Sequence, residues 1–366
     1  LNEKVLESLL DGFRSIGVNE DSAFIASCQI LAWVKLSQSE RIPDRLDLSK
    51  CKLPSNVGEL NGVLTQLSEL ESLGENSKAF RTVLTVPNEI EILQVVQIVS
   101  KLKQQSSFGD FNIYSYPLEN LSKFRWSLDS FVSDEILSLM IEIAGDVKNK
   151  NIYCPWDNFS VFASNLYMLG AEVSIEIVYS SAFPWLVNIF NETNVEILIG
   201  NPIEQPGFLS TEGLAKFDLS IAFPPLGEKY NFQDGDWYNR FPEKTGSGAV
   251  LNIRHVLAQT IGKVIIAVPN SVLFSSGVEQ SLRQDLLGKN QIEAVISLPP
   301  ALLPQTQIPF SIIVLDNQER SSNLVSFVNG NDEKFFAKDG RGRSRLVNWR
   351  DLLDTLQQGE DESSVV

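Results

Sequence analysis

The amino-acid pattern specifies an α/β protein in which an all-helical segment precedes a doubly wound, mostly parallel sheet. Three observations carry this. The first 127 residues read mainly as helices, with apolar stripes at helical spacing. From residue 128 onward short apolar runs alternate with helical stretches, the pattern of a parallel sheet with helices on both faces. A length of 366 residues, at ~150 per domain, accommodates two domains. The expected division is 1–127 as a helical domain, 128–330 as the α/β domain and 331–366 as a partly flexible extension.

Val5, Leu6, Leu9, Leu10, Phe13 and Ile16 form the first helical stripe, stopped by Gly17. Phe24, Ile25, Cys28, Leu31 and Val34 form a second, behind candidate caps at Asp21 and Ser22. Leu64, Leu67, Leu70 and Leu73 repeat every third residue up to Gly74, and a further helix is expected from Pro87 through Leu102. A helix holding Ile136, Leu139, Met140 and Ile143 leads into the β-like run 151–154. Further strands are expected at 173–177, 195–199, 217–223, 263–268, 292–297, 310–315 and 324–328. Helices are expected between them, including 159–169, 248–261 and 278–287. No internal repeat is present.

Apolar residues make up 43% and charged residues 21%, enough for a core and a soluble surface. No apolar run approaches the ~20 residues of a membrane helix, and no signal peptide opens the chain. The first residue is Leu1 rather than Met, as expected of a trimmed chain or a fragment. Thirty basic against 46 acidic residues give a net charge of −16, which argues against gripping nucleic acid by bulk charge. A local basic face, or DNA contact through a partner, stays open. Cys28, Cys51 and Cys154 are too widely spaced for a disulfide framework or zinc motif, which points to the cytoplasm. With His255 as the single histidine, hydrolytic triads and histidine-rich metal sites are out of reach.

Ligands of a doubly wound sheet bind beyond the carboxyl ends of its strands. The turns after Cys154, Ile177, Ile199 and Phe223 are therefore the informative places. The last reads Phe217-Asp218-Leu219-Ser220-Ile221-Ala222-Phe223-Pro224-Pro225-Leu226-Gly227. A hydrophobic strand running into Pro-Pro-x-Gly is rare in a purely structural role.

This segment resembles the "FD…NPPFG" of N6-adenine DNA methyltransferases, specifically the modification subunits of type I restriction–modification systems. The resemblance continues through Gly248–Phe274, Leu282–Leu287, Glu293–Pro299 and Gln305–Pro309, in the family's order. Upstream, Phe131-Val132-Ser133-Asp134 stands at the place of "F/Y-x-T-P", and Ile152-Tyr153-Cys154-Pro155 at the start of "VYDPACGSGGF". The similarity covers residues 130–318 and extends over the amino-terminal part by architecture only. It implies a Rossmann-like methyltransferase domain with a mostly parallel seven-stranded sheet, S-adenosylmethionine as cofactor and no metal. Its implied partners are DNA, specificity and restriction subunits, or an active methyltransferase subunit, with no membrane.

The residues at the family's cofactor positions are degenerate. Cys154 replaces the opening acid, and Trp156-Asp157-Asn158-Phe159-Ser160-Val161 replaces the glycine-bearing loop where the backbone approaches the methionine moiety. Asp157 is still able to accept a hydrogen bond, and Ser133 and Asn158 stand at neighbouring family positions. Glu176, in Ser174-Ile175-Glu176, matches the acid that holds the ribose hydroxyls. Asn201 stands where an Asp bonds the adenine amino group and keeps one acceptor oxygen.

The target-base positions have lost more. In the family the Asn side chain and the first Pro carbonyl accept from the N6 amine, and the final aromatic stacks on the flipped adenine. Here Phe223 replaces the Asn and Leu226 the aromatic, while Pro224 and Pro225 persist. Losing one polar transition-state contact costs ~3–4 kcal/mol, and losing the stack adds ~1–3 kcal/mol. Neither Asn201-Pro202-Ile203 nor Leu298-Pro299-Pro300-Ala301 restores the motif in another register.

Four features remain. Gly246-Ser247-Gly248 reads as a loop-to-helix hinge more readily than as a phosphate cradle. His255 reads as a packed or surface residue. The stretch 229–245, with Tyr230, Phe232, Trp237, Tyr238 and Phe241, either packs over Phe223 or forms a subunit contact. Lys338, Arg341, Arg343 and Arg345 around Gly340 and Gly342 read as a solvated loop, with phosphate or partner contact as the alternative.

Two functions follow. One is an S-adenosylmethionine-dependent N6-adenine DNA methyltransferase subunit. The other, which the residue chemistry favours, is a catalytically lapsed pseudoenzyme that keeps the fold for assembly or DNA recognition in a defence system. An RNA or protein methyltransferase relative fits the downstream segments less well.

Overall fold

The computed structural model describes residues 3–104, 109, 111–124, 132–231, 236–303, 307–339 and 342–358. The expectations resting on Leu1, Phe131, Phe232, Gln305, Thr306, Gly340, Arg341 and 359–366 lie outside them. The chain forms two compact units, Leu1–Ser127 with Ser181–Asn194, and Leu128–Ser180 with Val195–Val366.

In the first unit, α1 (Glu3–Ser15) buries Leu6, Leu9, Leu10 and Phe13 along one stripe. Its Arg14 bonds Glu20, Asp11 and the Tyr116 hydroxyl. The cap of α2 (Glu20–Gln38) is Asn19, whose side chain accepts from the Ser22 N–H, rather than Asp21 or Ser22. This helix is buried on nearly every side, from Phe24 to Trp33. The leucine repeat belongs to α3 (Val57–Ser68), which ends before Leu70; Gly74 follows at φ 52° inside a separate 3-10 stretch.

The helix expected from Pro87 begins instead at α4 (Leu93–Lys103). The intervening Asn88 and Ile90 carbonyls accept from Gly58 and Val57 at the start of α3. That pairing satisfies the orphan donors of one helix and delays the next. The helix Phe183–Asn191, although it lies in sequence between two strands of the sheet, belongs to this unit. Its Phe183 stacks at 6.1 Å on Phe24, and Lys35 donates to the Phe190 carbonyl.

The second unit is built on one sheet. Its strands are β1 (Asn151–Pro155), β2 (Glu172–Ile177), β3 (Glu196–Ile199), β4 (Leu219–Ala222), β5 (Lys263–Pro269), β6 (Ile292–Ser297), β7 (Phe310–Asp316) and β8 (Ser326–Asn329). They lie in the order β8-β6-β7-β5-β4-β1-β2-β3, with β7 antiparallel to both neighbours and every other pair parallel. The sheet has eight strands rather than seven, because Ser326–Asn329 pairs outside β6. Central strands such as β5 read as continuous apolar runs because both their faces are covered.

Helix α5 (Asp134–Ala144) leads into β1, and α6 (Val161–Met168), α7 (Gly248–Gln259) and α8 (Val278–Gly288) occupy connections between strands. Val250, Leu251, Ile253 and Val256 of α7 share a core cluster with Ile266, Val268 and Leu282. Burying such a side chain contributes about 1.5–3 kcal/mol each. The Gly/Arg segment is not a loop throughout. Strands β9 (Phe336–Asp339) and β10 (Arg343–Leu346) pair antiparallel, Ala337 opposite Arg345, ahead of α9 (Trp349–Gln358).

Candidate functional site

The chain runs from β1 outward through β2 and β3, then returns to place β4 on the other side of β1. That reversal is the switch point at which doubly wound sheets bind ligands. It brings the turn after β1 beside the Pro-Pro turn after β4, with Ile152 opposite Leu219 and Tyr153 opposite Ser220. The turns after β2 and β3 join them, since Trp156 donates to the Glu176 carbonyl and Gly200 to the Ile177 carbonyl.

The turn after β1 is filled by its own side chains. Cys154 is fully buried, and burial pushes its thiol well above the ordinary range. Trp156 and Ser160 hold left-handed backbone at φ 64° and 55°, a conformation that favours glycine. The Trp156 indole, 1% exposed, joins the cluster containing Ile203, Ala222 and Tyr230. Asp157 turns its carboxylate onto the start of α6, accepting from Val161 at 2.8 Å and Ala163 at 2.9 Å. Burial pushes this acid up to about 6, against the pull of those backbone N–H groups. The Asn158 side-chain oxygen accepts from Val178. The anion-receptive terminus of α6 is thus satisfied from within the chain.

Glu176 is fully buried at the end of β2. One carboxylate oxygen accepts from the Tyr153 hydroxyl at 2.7 Å and the other from the Gly207 N–H at 2.7 Å. A Cβ at Gly200 would stand 2.9 Å from that second oxygen, so the glycine makes room for the acid. Tyr153 lies 3.0 Å from His255 Nε2, and Arg240 Nη1 lies 2.8 Å from His255 Nδ1. Arginine only donates, so His255 accepts at Nδ1 and the proton of its neutral ring sits on Nε2. The tautomer follows from the partners, and it gives a directed chain: Arg240 to His255 to Tyr153 to Glu176. Burial and the Arg240 charge hold His255 well below its usual range, in its neutral form. Burial likewise lifts Glu176, but Tyr153, Gly207 and Arg240 oppose that rise.

Arg240 also closes the turn after β3. It donates to the Pro202 and Ile203 carbonyls at 2.8 and 2.6 Å and pairs with Asp236 at 3.0 Å. Asn201 folds its side-chain oxygen back onto the Ile203 and Glu204 N–H groups. Its acceptor is therefore spent locally. Ser133 lies elsewhere in the unit as the cap of α5, accepting from Ile136 at 3.5 Å.

At the end of β4, Phe223 and Pro224 are buried and Pro225 and Leu226 half-buried. Phe223 packs edge-on against Phe310 with ring centroids 5.4 Å apart. Gly246 and Gly248 are where they are because the chain passes close: a Cβ at Gly248 would stand 2.3 Å from the Glu228 carbonyl oxygen. Tyr230 packs inward, Phe241 is half-buried and Trp237 is 83% exposed, so the aromatic stretch does not act as one surface. A pocket of about 790 Å³ lies within this stretch, lined by Tyr230, Asn239, Phe241 and Lys244, and its Tyr230 shares a core cluster with Trp156 of the turn after β1.

Sequence reasoning missed Tyr153 and Arg240 as members of the site. Tyr153 reads as one more strand residue. Arg240 offers only an acid four residues earlier, a common surface pattern. Among the described residues no group of three or more His, Cys, Asp or Glu side chains is placed to hold a metal ion, and no helix is long and apolar enough to cross a membrane.

A family model described as N-6 DNA Methylase matches residues 163–364. The methylase subunit of the type I restriction enzyme MpnII from Mycoplasma pneumoniae is 28% identical over 180 residues, 49% of this chain and 30% of that protein. The MjaVII methylase subunit of Methanocaldococcus jannaschii is 24% identical over 218 residues, 55% of this chain and 37% of that protein. The matched stretch thus spans well under half of either relative. A type I restriction–modification methyltransferase subunit from Streptococcus thermophilus shares the fold with a TM-score of 0.72 at 15% identity, over 98% of this chain and 93% of that one. A chain from a type I R-M system structure shares it with a TM-score of 0.64 at 13% identity, over 89% and 77%.

Proposed function

The chain belongs to the N-6 DNA methylase family and resembles the modification subunits of type I restriction–modification systems, and from that premise we propose that it works there without transferring methyl groups. The family's reaction takes its methyl group from S-adenosylmethionine. The side chains present do not fit that cofactor. Asp157 takes the terminus of α6, Trp156 occupies the turn after β1, and Asn201 bonds its own backbone.

The observation that carries the reading is Glu176. Each of its oxygens accepts one bond within the fold and it has no exposed surface, so ribose hydroxyls reach it only if the residues enclosing it move aside. Phe223 supports the same conclusion for the base, because a phenyl ring accepts no hydrogen bond from an amine. The role left is assembly or DNA recognition in the cytoplasm. The partners would be a specificity or restriction subunit, or an active methyltransferase subunit. In that arrangement 1–127 serves as a helical domain and 128–330 as the methyltransferase-like domain, with 331–366 as an extension.

Incubation of the purified chain with labelled S-adenosylmethionine and unmodified genomic DNA tests this directly. No label above background is expected on the DNA. Time-dependent incorporation that a methyltransferase inhibitor abolishes overturns the proposal.

A further inference from the structure

We propose that β8 is a self-association edge, which pairs antiparallel with β8 of a second copy of this chain so that the sheet continues across the dimer. β8 is an outermost strand of the sheet. Gly330 donates to the Ser297 carbonyl at 2.8 Å, so the backbone of 330, and by alternation that of 328 and 326, faces β6. The N–H and C=O groups of Phe327 and Asn329 therefore point away from the sheet, and among the described residues none bonds to them. The side chains agree with the backbone. Phe327 stands opposite Val295, which packs in the core cluster with Leu282 and Leu286 of α8, so its ring lies on the α8 face. It is nevertheless 76% exposed, and Leu324 just before the strand is 71% exposed.

Edge strands ordinarily carry a device against pairing: a charge, a proline, a bulge or a cover. β3, at the opposite edge, carries the exposed Glu196. β8 carries no such charge, since residues 321–331 include neither a charged residue nor a proline. Arg320, just before them, turns its guanidinium back to the Leu324 carbonyl at 2.8 Å and to the Ile292 carbonyl. Asn290 donates to the Ser322 carbonyl at 3.1 Å, which holds the approach to the strand in place before any partner arrives. Charge also identifies the occupant. A chain of net charge −16 repels its own copy over most of its surface, and the uncharged stretch is where two copies meet without that repulsion. Antiparallel pairing about Phe327 sets 325–329 against the same residues reversed. No like charges are opposed, and the two Phe327 rings come side by side as a cross-strand aromatic pair. A charged strand from another protein finds no counter-charge here.

One strand pair buries less than the ~1,600 Å² of a standard interface, so the dimer is reversible. Four strands separate β8 from β1, and the inference stands independently of whether the turn after β1 admits a cofactor. Sedimentation velocity of the full chain over ~1–200 µM tests it, the range in which a small interface forms. A concentration-dependent shift from monomer to dimer is expected. Screening of the net charge should make the dimer fraction larger at ~300 mM salt than at ~50 mM. Phe327→Lys should weaken association about a hundredfold, because in a two-fold interface both copies lose a buried ring and two cations meet. Phe327→Pro, which removes an outward N–H that an edge strand can spare, should leave a monomer throughout. Phe327→Tyr should still dimerise. An unchanged thermal midpoint of each variant at ~1 µM, where the parent is monomeric, shows that it folds. A parent that stays monomeric at ~200 µM overturns the proposal and leaves the edge to a strand of another protein. A dimer of equal strength in the lysine and proline variants overturns it as well, because the interface then lies elsewhere.

Discussion

Arg240 and His255 meet head-on inside the second unit, Nη1 to Nδ1 at 2.8 Å, and that contact sets the protonation of everything beyond it. The imidazole accepts from the guanidinium and donates to Tyr153, and Tyr153 donates to Glu176. A cation at one end of the chain is balanced by a carboxylate at the other, with two neutral rings between them.

Removing Arg240 leaves the Asp236 carboxylate, two backbone carbonyls and the His255 acceptor without their common donor. Arg240→Ala is expected to cost about 3 kcal/mol or more, lowering the thermal midpoint of the second unit by roughly 6–12 °C. Scanning calorimetry of the parent and variant measures it. A shift under ~2 °C would show that the network contributes little.

His255 is held neutral in the fold, while its unfolded value is 6.5. The unfolded chain therefore takes up a proton that the folded chain refuses, and the fold loses stability as pH falls below 6.5. Compared with His255→Gln, the parent should lose about 1.4 kcal/mol of relative stability per pH unit below that point. Denaturant titrations of both proteins on either side of the window read this difference. A constant difference across the window sinks the neutral assignment.

Asp157 carries the opposite sign. Its value in the fold is raised to about 6 from 3.8, so the contribution of its protonated form is complete below 3.8 and lost as pH rises through 6. Against Asp157→Asn, the parent should gain roughly 3 kcal/mol of relative stability between pH 6 and 3.8. Paired unfolding curves at those two pH values decide it. A gain in the reverse direction would mean that the α6 N–H groups outweigh burial.

Restoring the residues expected by the family at the base site should not restore the reaction. Phe223→Asn with Leu226→Phe leaves Trp156, Asp157 and Glu176 as they are, so no label is expected to pass from S-adenosylmethionine to DNA. The change also removes the Phe223–Phe310 contact and places an amide among apolar groups, costing about 3 kcal/mol. Measurable transfer by this double variant would show that the turn after β1 still accepts the cofactor.

The parts of the fold that depend on local pattern were legible. β1, β5 and β7 announce themselves as apolar runs, and Gly17 follows the end of α1 as its stripe requires. Parts that depend on long-range pairing were not. Pro87 looked like a helix start because the carbonyls that hold 88–90 out of the helix are claimed by α3, far off in sequence. The hairpin around Arg343 looked like a loop because its turn signal, Gly and Arg, also describes a solvated segment. At the candidate site, the substitutions at Cys154, Phe223 and Leu226 could be read directly. That Glu176 is enclosed could not, because its partners Tyr153, Gly207 and, through His255, Arg240 come from four separate segments that only the sheet brings together.

The central claim is that the turns after β1, β2 and β3 are closed by the chain's own side chains. Calorimetric titration of the purified protein with S-adenosylmethionine and S-adenosylhomocysteine tests it most directly. The account predicts no saturable heat with either ligand at millimolar concentration. Saturable binding in the micromolar range would contradict it, because Glu176 or Asp157 would then have to leave its partner within the fold for the ligand.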